Sequence, residues 1–206
     1  MTLTEIETAC RRRHNAVGDD FFGQAEILQL IYEACVEYAR EVKCIENVFT
    51  ATTVASTQSY VFPTNLMEVK RVTYNGAKLE PINMREDDLL TLSNQASTST
   101  GTPQYYFIWD EAVYLRPIPD AAKTLKVFGP VEPAQISVVT ATLEVPSIFH
   151  GKLINYVVSE MYAKDQNFQA AGYYMGLFNT GINRDRAYWK KRKRADAMAN
   201  VMDEET

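Results

Sequence analysis

No stretch of this 206-residue sequence approaches the roughly 18 consecutive apolar residues that a membrane-spanning helix needs. The first residues also lack the apolar core of a secretory signal peptide. The three cysteines, Cys10, Cys35 and Cys44, show no CxxC spacing, and their odd number argues against a disulfide framework. We therefore expect a globular protein that folds in a reducing cytoplasm and does not enter a membrane.

Sequence signatures of catalysis are also missing. The two histidines, His14 and His150, have no serine, cysteine or aspartate at the spacing of a triad or a metal site. The glycines form neither a P-loop nor a GxGxxG motif. The acidic pairs Asp19-Asp20, Asp87-Asp88 and Asp110-Glu111 fall in turns or helix starts, where carboxylates usually are solvated or act as caps. We expect a protein that is not an enzyme and that holds no metal and no cofactor.

Positive charge is concentrated in two places, although the net charge is −5. Arg11–Arg13 and Lys190–Arg194 contain eight of the 21 lysines and arginines, so the rest of the chain is distinctly acidic. Like charges three or four residues apart on a helix repel by about 0.2–0.5 kcal/mol per pair. The run from Lys190 to Arg194 is either a solvated helix end or a surface that holds an acidic protein patch or DNA phosphates.

The middle of the chain has the pattern of a β-rich module. Met67–Tyr74 runs directly into Asn75-Gly76, the strongest short signal for a hairpin, because both central residues of a type I′ turn need positive φ. A second hairpin is expected around the turn Asp110-Glu111. The expected strands are Gln58–Pro63, Met67–Tyr74, Ala77–Glu80, Gln104–Trp109, Ala112–Arg116 and Lys123–Gly129.

Helical patterns precede this module. Thr2 and Thr4 are both candidate caps for a short first helix, and Glu7 stands at the capping-box distance from Thr4. A second helix is expected over about Gln24–Lys43. Its apolar stripe consists of Ile27, Leu30, Ile31, Ala34, Cys35, Tyr38 and Val42. Such a stripe requires a partner helix.

Helical patterns return after Pro146. The first of these two helices has a rich apolar stripe that includes Val157, and the second runs from about Gln169 to Ala199, with a kink near Gly181. The predicted fold class is α+β: a four-helix bundle, formed by the N- and C-terminal helix pairs, with an antiparallel β-rich module inserted between them. The predicted domains are 1–43 with 148–200 for the bundle, 44–147 for the inserted module, and 200–206 for an acidic tail.

Two segments of the module suggest contacts with neighbours. The polar loop from Asn94 to Thr102 cannot bury enough surface to offset the entropy of ordering, so we expect assembly to order it. Tyr105, Tyr106 and Phe107 are candidates for a subunit or tail interface, since aromatic residues are enriched there. The alternative is that these aromatic side chains fill the core of the β-rich module.

The order of these features resembles the tail-adaptor, or head-to-tail connector, proteins of tailed bacteriophages. The matching blocks are the leading helix pair, QSYVFPTNLMEVKRVTYNGAKLEP, GTPQYYFIWDEAVYLRPIPD, and the closing helix pair LINYVVSEMYAKDQNFQAAGYYMGLF. The resemblance covers roughly Ile27 to Lys190. It implies a virion protein, made in the host cytoplasm, that forms a dodecameric ring beneath the portal and joins the DNA-filled head to the tail.

The resemblance also implies partners. These are the portal protein, a tail tube, nozzle or tail-completion protein, and double-stranded DNA that passes through the bore without sequence-specific binding. We expect the end of the last helix to dock on the portal through Arg186, Tyr188, Trp189, Lys190, Lys193 and Arg194, with the aromatic side chains as apolar anchor. The alternative from another class is a small DNA-binding accessory protein that uses the same basic helix.

Overall fold

The computed structural model describes residues 1–18, 21–86 and 99–203, and it describes side chains up to residue 192. The chain divides into two units: Met1–Ile45 together with Glu132–Thr206, and Glu46–Val131. The first unit is helical and the second is built from strands, so the fold class is α+β. Residues 132–147, which the sequence analysis assigns to the β-rich module, belong to the helical unit instead.

The helical unit is formed by α1 (Leu3–His14), α2 (Gln24–Val42), α3 (His150–Lys164) and α4 (Phe168–Asp203). A 3-10 turn, Ser147–Phe149, leads into α3. Helix α3 lies against each of the other three helices, and α2 also lies against α4. In the described part of the chain, no helix combines the length and the apolar character needed to cross a lipid bilayer.

The cap of α1 differs from the sequence-based prediction. The capping box is formed by Thr2 and Glu5: Thr2 Oγ1 accepts from the Glu5 amide at 3.2 Å, and a Glu5 carboxylate oxygen accepts from the Thr2 amide at 2.9 Å. Thr4 lies inside the helix. Glu7 contacts Arg11 at 3.0 Å and Gln24 at 3.1 Å instead, so it ties α1 to α2.

The apolar stripes of the helices meet in one core. Ile31 on α2 and Val157 on α3 are both fully buried, as the stripe positions predict. Leu30, at the margin of its stripe, is half-buried. Fully buried side chains from all four helices include Leu3, Ile6, Ile27, Ile31, Tyr38, Leu153, Val157 and Phe178.

Helix α4 runs through Gly181 without interruption, so the glycine does not end or divide the helix there. The glycine instead lets a side chain of α3 approach the backbone of α4 closely. A Cβ at position 181 would come within 2.8 Å of Lys152 Cγ on α3, so only glycine allows the Lys152 side chain to lie across α4 at this point.

The β unit contains two four-stranded sheets and a two-stranded one. The first sheet has the order β1-β10-β3-β4, the second β2-β8-β7-β5, and the small one pairs β6 with β9. The bounds are β1 Glu46–Thr52, β2 Ser59–Val61, β3 Arg71–Tyr74, β4 Ala77–Lys78, β5 Glu80–Pro81, β6 Thr100–Gly101, β7 Tyr105–Trp109, β8 Ala112–Arg116, β9 Ile118–Pro119 and β10 Thr124–Pro130.

Both predicted hairpins are present. Asn75 and Gly76 have φ of 50° and 87°, as a type I′ turn requires, and they join β3 to β4. Asp110 and Glu111 also have positive φ and join β7 to β8.

Two features of the β unit differ from the prediction. The expected return strand Ala77–Glu80 divides at Leu79: β4 belongs to the first large sheet and β5 to the second. Leu79 is 1% exposed because it passes through the core between the two sheets. The module is also not purely antiparallel, since β5 pairs with β7 and β6 with β9 in parallel.

Several predicted features lie outside the described residues. These are the acidic pairs Asp19-Asp20 and Asp87-Asp88, residues 94–98 of the polar loop, residues 204–206 of the acidic tail, and the side chains of residues 200–203. Of that loop, only its end is described, where Thr100–Gly101 pairs with Ile118–Pro119. Residues 84–86 are helical.

Candidate functional site

The C-terminal helix α4 is fastened to α2 and α3 near the start of its basic run. The indole Nε1 of Trp189 donates to the Lys43 carbonyl at 3.1 Å. The edge of the Trp189 ring meets Phe149, with 6.0 Å between centroids. The Arg192 guanidinium lies over the same indole ring, 5.4 Å from its centroid. Trp189, predicted as an anchor for a partner, therefore is half-buried within its own unit.

Arg186 is also engaged within the chain. Its Nε donates to the backbone carbonyl of Glu41 at 3.1 Å, and Nη2 forms an ion pair with the Glu41 carboxylate. Such a pair at a partly exposed position contributes about 0–1 kcal/mol of stability. Its main consequence is positional, because it holds α4 beside the end of α2.

Asp185, the residue before Arg186 on α4, has a buried carboxylate. Asp185 is 6% exposed and accepts a 2.7 Å hydrogen bond from the Tyr38 hydroxyl on α2. Lys152 Nζ on α3 lies 3.4 Å from the same carboxylate. Burial, followed by the hydrogen bond and the charge of Asp185, raises the pKa of Tyr38, so the hydroxyl keeps its proton and remains a donor. One carboxylate thus joins three helices.

Other residues of the predicted portal-docking set remain available. Tyr188 is 50% exposed, and Lys190, Lys191 and Arg192 are exposed. The side chains of Lys193 and Arg194 lie outside the described residues, while the backbone there is helical. The structure therefore divides the predicted set: Arg186 and Trp189 face the unit itself, and Tyr188 and Lys190 face away from it.

The three aromatic residues predicted to form an interface in the β unit also differ in how far they are buried. Tyr106 is 5% exposed and belongs to the core between the two large sheets. Phe107 is 8% exposed; its ring stacks on Tyr114 at 4.9 Å and lies below the Arg116 guanidinium. Tyr105 is half-buried. Tyr106 therefore fills the core, as the alternative interpretation of these aromatics expects.

The exposed apolar side chains of the β unit lie elsewhere. Val61 on the edge strand β2 is 80% exposed, and Ile108 and Trp109 at the end of β7 are 47% and 55% exposed. Ile108 also lines a cavity of about 390 Å³ next to Phe62, Leu66 and Met67. Exposed aromatic and aliphatic side chains around a cavity are typical of a contact surface.

A basic cavity between α1, α3 and α4 has no counterpart among the features predicted from the sequence. This cavity has a volume of about 490 Å³, and three of its walls carry a cation: Arg13, Lys152 and Arg184. Asn155 and Thr180 add polar groups, and Leu177 adds apolar surface. The three cations are far apart in sequence and their helices bring them together, so only Arg13, in the run Arg11–Arg13, had a sequence signal.

Both histidines contact groups of their own unit, and the thiols of Cys10 and Cys35 are buried. His14 Nε2 lies 3.0 Å from Asp165, and the ring of His14 packs edge-on against Phe22. His150 Nδ1 and Nε2 lie 3.1 and 2.7 Å from the carbonyls of Met1 and Val145. Burial raises the thiol pKa of Cys10 and of Cys35 to about 12, so neither thiol ionises at neutral pH. In the described part of the chain, no group of three or more His, Cys, Asp or Glu residues could hold a metal ion.

Comparison with known proteins complements this geometry. A comparison with curated protein sequences finds no match. The family model of the SU10 adaptor protein matches residues 1–202, which includes both structural units and nearly all of α4. Because the match extends over nearly all of the 206 residues, this protein belongs to the SU10 adaptor protein family, a family of phage head-to-tail adaptors.

Proposed function

We propose that this chain is the subunit of a dodecameric ring that connects the portal vertex of a phage head to the tail and lines part of the DNA exit channel. The observation that carries the proposal is the family match over residues 1–202. In this proposal the protein is a structural component of the virion. The four helices act as a bundle against the portal side, and DNA passes through the bore during genome ejection without sequence-specific contacts.

Portal docking is assigned to the exposed part of the C-terminal helix. Tyr188 and Lys190 face outward, next to Lys191 and Arg192, and the basic run continues through Lys193 and Arg194. The contacts of Asp185, Arg186 and Trp189 with α2 and α3 hold the preceding turn in place. A helix end that is held in this way loses little conformational entropy when it binds, which favours its use as a docking element.

The subunit or tail interface is assigned to the β unit. Tyr105 remains a candidate because it is only half-buried. Of the other predicted residues, Tyr106 and Phe107 support the surface from below, and Ile108 and Trp109 present the exposed apolar area. A tail tube, nozzle or tail-completion protein is the partner that this surface would contact.

The test is to image the purified chain bound to its portal protein by electron microscopy. A twelve-membered ring seated on the portal is the expected result. A companion variant replaces Lys190, Lys191, Arg192, Lys193 and Arg194 by glutamate and leaves Asp185, Arg186 and Trp189 intact. This variant should fold normally and bind portal much more weakly at low salt, because charge reversal slows encounter.

Truncation at residue 184 is unsuitable for this test, since it would remove the contacts that Asp185, Arg186 and Trp189 make with the rest of the helical unit. A control, Lys123→Glu with Lys126→Glu, reverses the charge of two exposed lysines of the β unit and should dock normally. Portal particles without any added ring would contradict the proposed function. Normal docking of the five-residue variant would contradict only the role of the basic run.

A further inference from the structure

The basic cavity lies on one side of α4, in the gap between α1 and α4 above α3. Arg13 on α1 donates from Nη1 to Asn155 Oδ1 at 2.7 Å, which points its guanidinium across the cavity. Arg184 on α4 has a side chain that is 73% exposed. Lys152 on α3 forms the floor and is 22% exposed.

The positive charge of this cavity exceeds the negative charge that faces it. Asp185 is the carboxylate near Lys152 and Arg184, at 3.4 and 3.8 Å, and it already accepts the Tyr38 hydroxyl. Arg13 meets a neutral amide. Three cations therefore converge on a cavity with one buried carboxylate beneath them, which leaves an attractive site for an additional carboxylate.

A separate, acidic surface is formed by α2 and α3, which lie against each other. Glu33 and Glu37 are one turn apart on α2, and Glu160 follows Tyr156 by one turn on α3. Burial, followed by the charges of Glu160, Glu33 and Glu37, raises the pKa of the Tyr156 hydroxyl, in agreement with this placement of the three carboxylates. The ring of Tyr156 packs edge-on against Phe178 of α4, with 5.2 Å between centroids. Glu33 accepts a hydrogen bond from the neutral Gln29. In the described part of the chain, none of these three carboxylates is in an ion pair.

Nearby carboxylates behave differently. Glu26 pairs with Lys164, Glu41 with Arg186 and Glu132 with Arg40, all within the helical unit. These three carboxylates are therefore neutralised within the unit, whereas Glu33, Glu37 and Glu160 remain available to a partner. Arg13 of the basic cavity is on α1, and Glu33 and Glu37 of the acidic surface are on α2.

We propose that the basic cavity, lined by Arg13, Lys152 and Arg184, receives the acidic surface of a second copy of this chain, formed by Glu33, Glu37 and Glu160. The two surfaces differ, so the contact is head-to-tail, and repetition of such a contact generates a closed ring when the rotation per subunit allows it. This inference rests on the proposed function and assigns the lateral contact of that ring.

The geometry of the cavity suits carboxylates on a helix. Arg13 and Arg184 stand on two different helices and can each bind one carboxylate, while Glu33 and Glu37 present two carboxylates at i and i+4 on one face. Leu177 offers an exposed apolar contact beside the cations. Charged contacts of this kind set the register and the partner, and they steer association at low salt.

The test is a charge exchange between two variants of the full-length chain. The first variant, Arg13→Glu with Arg184→Glu, has an acidic cavity and keeps its acidic surface. The second, Glu33→Arg with Glu37→Arg, has a basic surface and keeps its basic cavity. Each variant alone opposes like charges at the contact, whereas an equimolar mixture can alternate the two chains with opposite charges at every contact.

Sedimentation velocity over a concentration series measures self-association, and circular dichroism confirms that each variant is folded. The unaltered chain should associate at about 0.05 M salt and at least about tenfold more weakly at about 0.5 M, because salt screens exposed charges. Each variant should stay monomeric where the unaltered chain associates, and the mixture should recover association. The Lys123→Glu, Lys126→Glu control carries the same charge change as the first variant and should associate normally.

Three outcomes would overturn the inference: an unaltered chain that stays monomeric at low salt, variants that associate normally, or a mixture that does not recover association. A fourth outcome concerns mixed-sequence duplex DNA. If the unaltered chain binds this DNA and the first variant does not, while both self-associate equally, the cavity is a phosphate site. The electron microscopy of portal complexes tests the proposed function independently of this contact. Rings on the portal with variants that assemble normally would refute this contact and leave the proposed function standing.

Discussion

The hydroxyl of Tyr38 donates a 2.7 Å hydrogen bond to the carboxylate of Asp185, 147 positions further along the chain. Both residues are buried, and Tyr38 is fully so. The bond joins α2, before the β unit, to α4, after it. It is thus a direct link between the two helix pairs that the β unit separates in sequence.

Replacing Tyr38 by phenylalanine should destabilise the helical unit by about 1–3 kcal/mol, because a buried carboxylate loses its donor. Urea unfolding followed by far-UV circular dichroism measures the change. Tyr173, which is 64% exposed, provides the control: Tyr173→Phe should leave the unfolding midpoint nearly unchanged. Equal midpoints for Tyr38→Phe and the unaltered chain would show that the bond is dispensable.

Aspartate at Ile31 or at Val157 should destabilise the helical unit by about 3–5 kcal/mol, since both sites are fully buried and would hold an uncompensated charge. Thermal unfolding and yield of soluble protein are the measurements. Val17→Asp, at a residue of the same unit that is 71% exposed, should melt as the unaltered chain does. A soluble Ile31→Asp protein with the original melting temperature would contradict the packing of α2.

Alanine at Gly129 should strongly destabilise the β unit. The added Cβ would overlap the backbone carbonyl of Glu68 and crowd Leu66, and a backbone neighbour cannot move aside cheaply. Overpacking of this kind costs at least about 1–3 kcal/mol. Gly101→Ala is the matched control in the same unit, because its Cβ would meet Pro117 at the ordinary distance of 3.8 Å. Unfolding midpoints that fall equally for both substitutions would argue against this explanation.

Stability should fall at alkaline pH through the buried thiols. Cys10 and Cys35 have a pKa of about 12 in the folded chain and an ordinary value of 9.0 when unfolded. Between these values the unfolded chain releases protons that the folded chain keeps, so the unfolded state is favoured as pH rises. Their contribution is fully present below pH 9.0 and is lost as pH rises toward 12.

The measurement for this prediction is the free energy of unfolding across that pH range. A chain with Cys10→Ala and Cys35→Ala should show a shallower decline than the unaltered chain, even though its absolute stability is lower. Thiol reagents should also react with these cysteines slowly until the chain unfolds, because the thiolate is the reactive form. Parallel declines in the two proteins would assign the alkaline loss to other groups.

Periodicity and turn chemistry predicted much of the local structure. The stripe on α2 placed Ile31 and Tyr38 in a core, and Asn75-Gly76 and Asp110-Glu111 placed two hairpins, because these features depend on residues only a few positions apart. The capping box shows the limit of such signals. Thr2 with Glu5 and Thr4 with Glu7 have the same spacing. The first pair forms the capping box, and Glu7 of the second pair binds Arg11 and Gln24 instead.

The sequence by itself determined the four helices, the two hairpins and which side chains are apolar on one helix face, since those properties follow from local backbone and side-chain chemistry. Only the tertiary structure decided that Leu79 divides a strand between two sheets, that Trp189 and Arg186 turn toward their own unit, and that Asp185 meets Tyr38. It also brought Arg13, Lys152 and Arg184 to one cavity. Each of these depends on contacts between residues distant in the chain, where the partner, and not the residue type, determines what a side chain does.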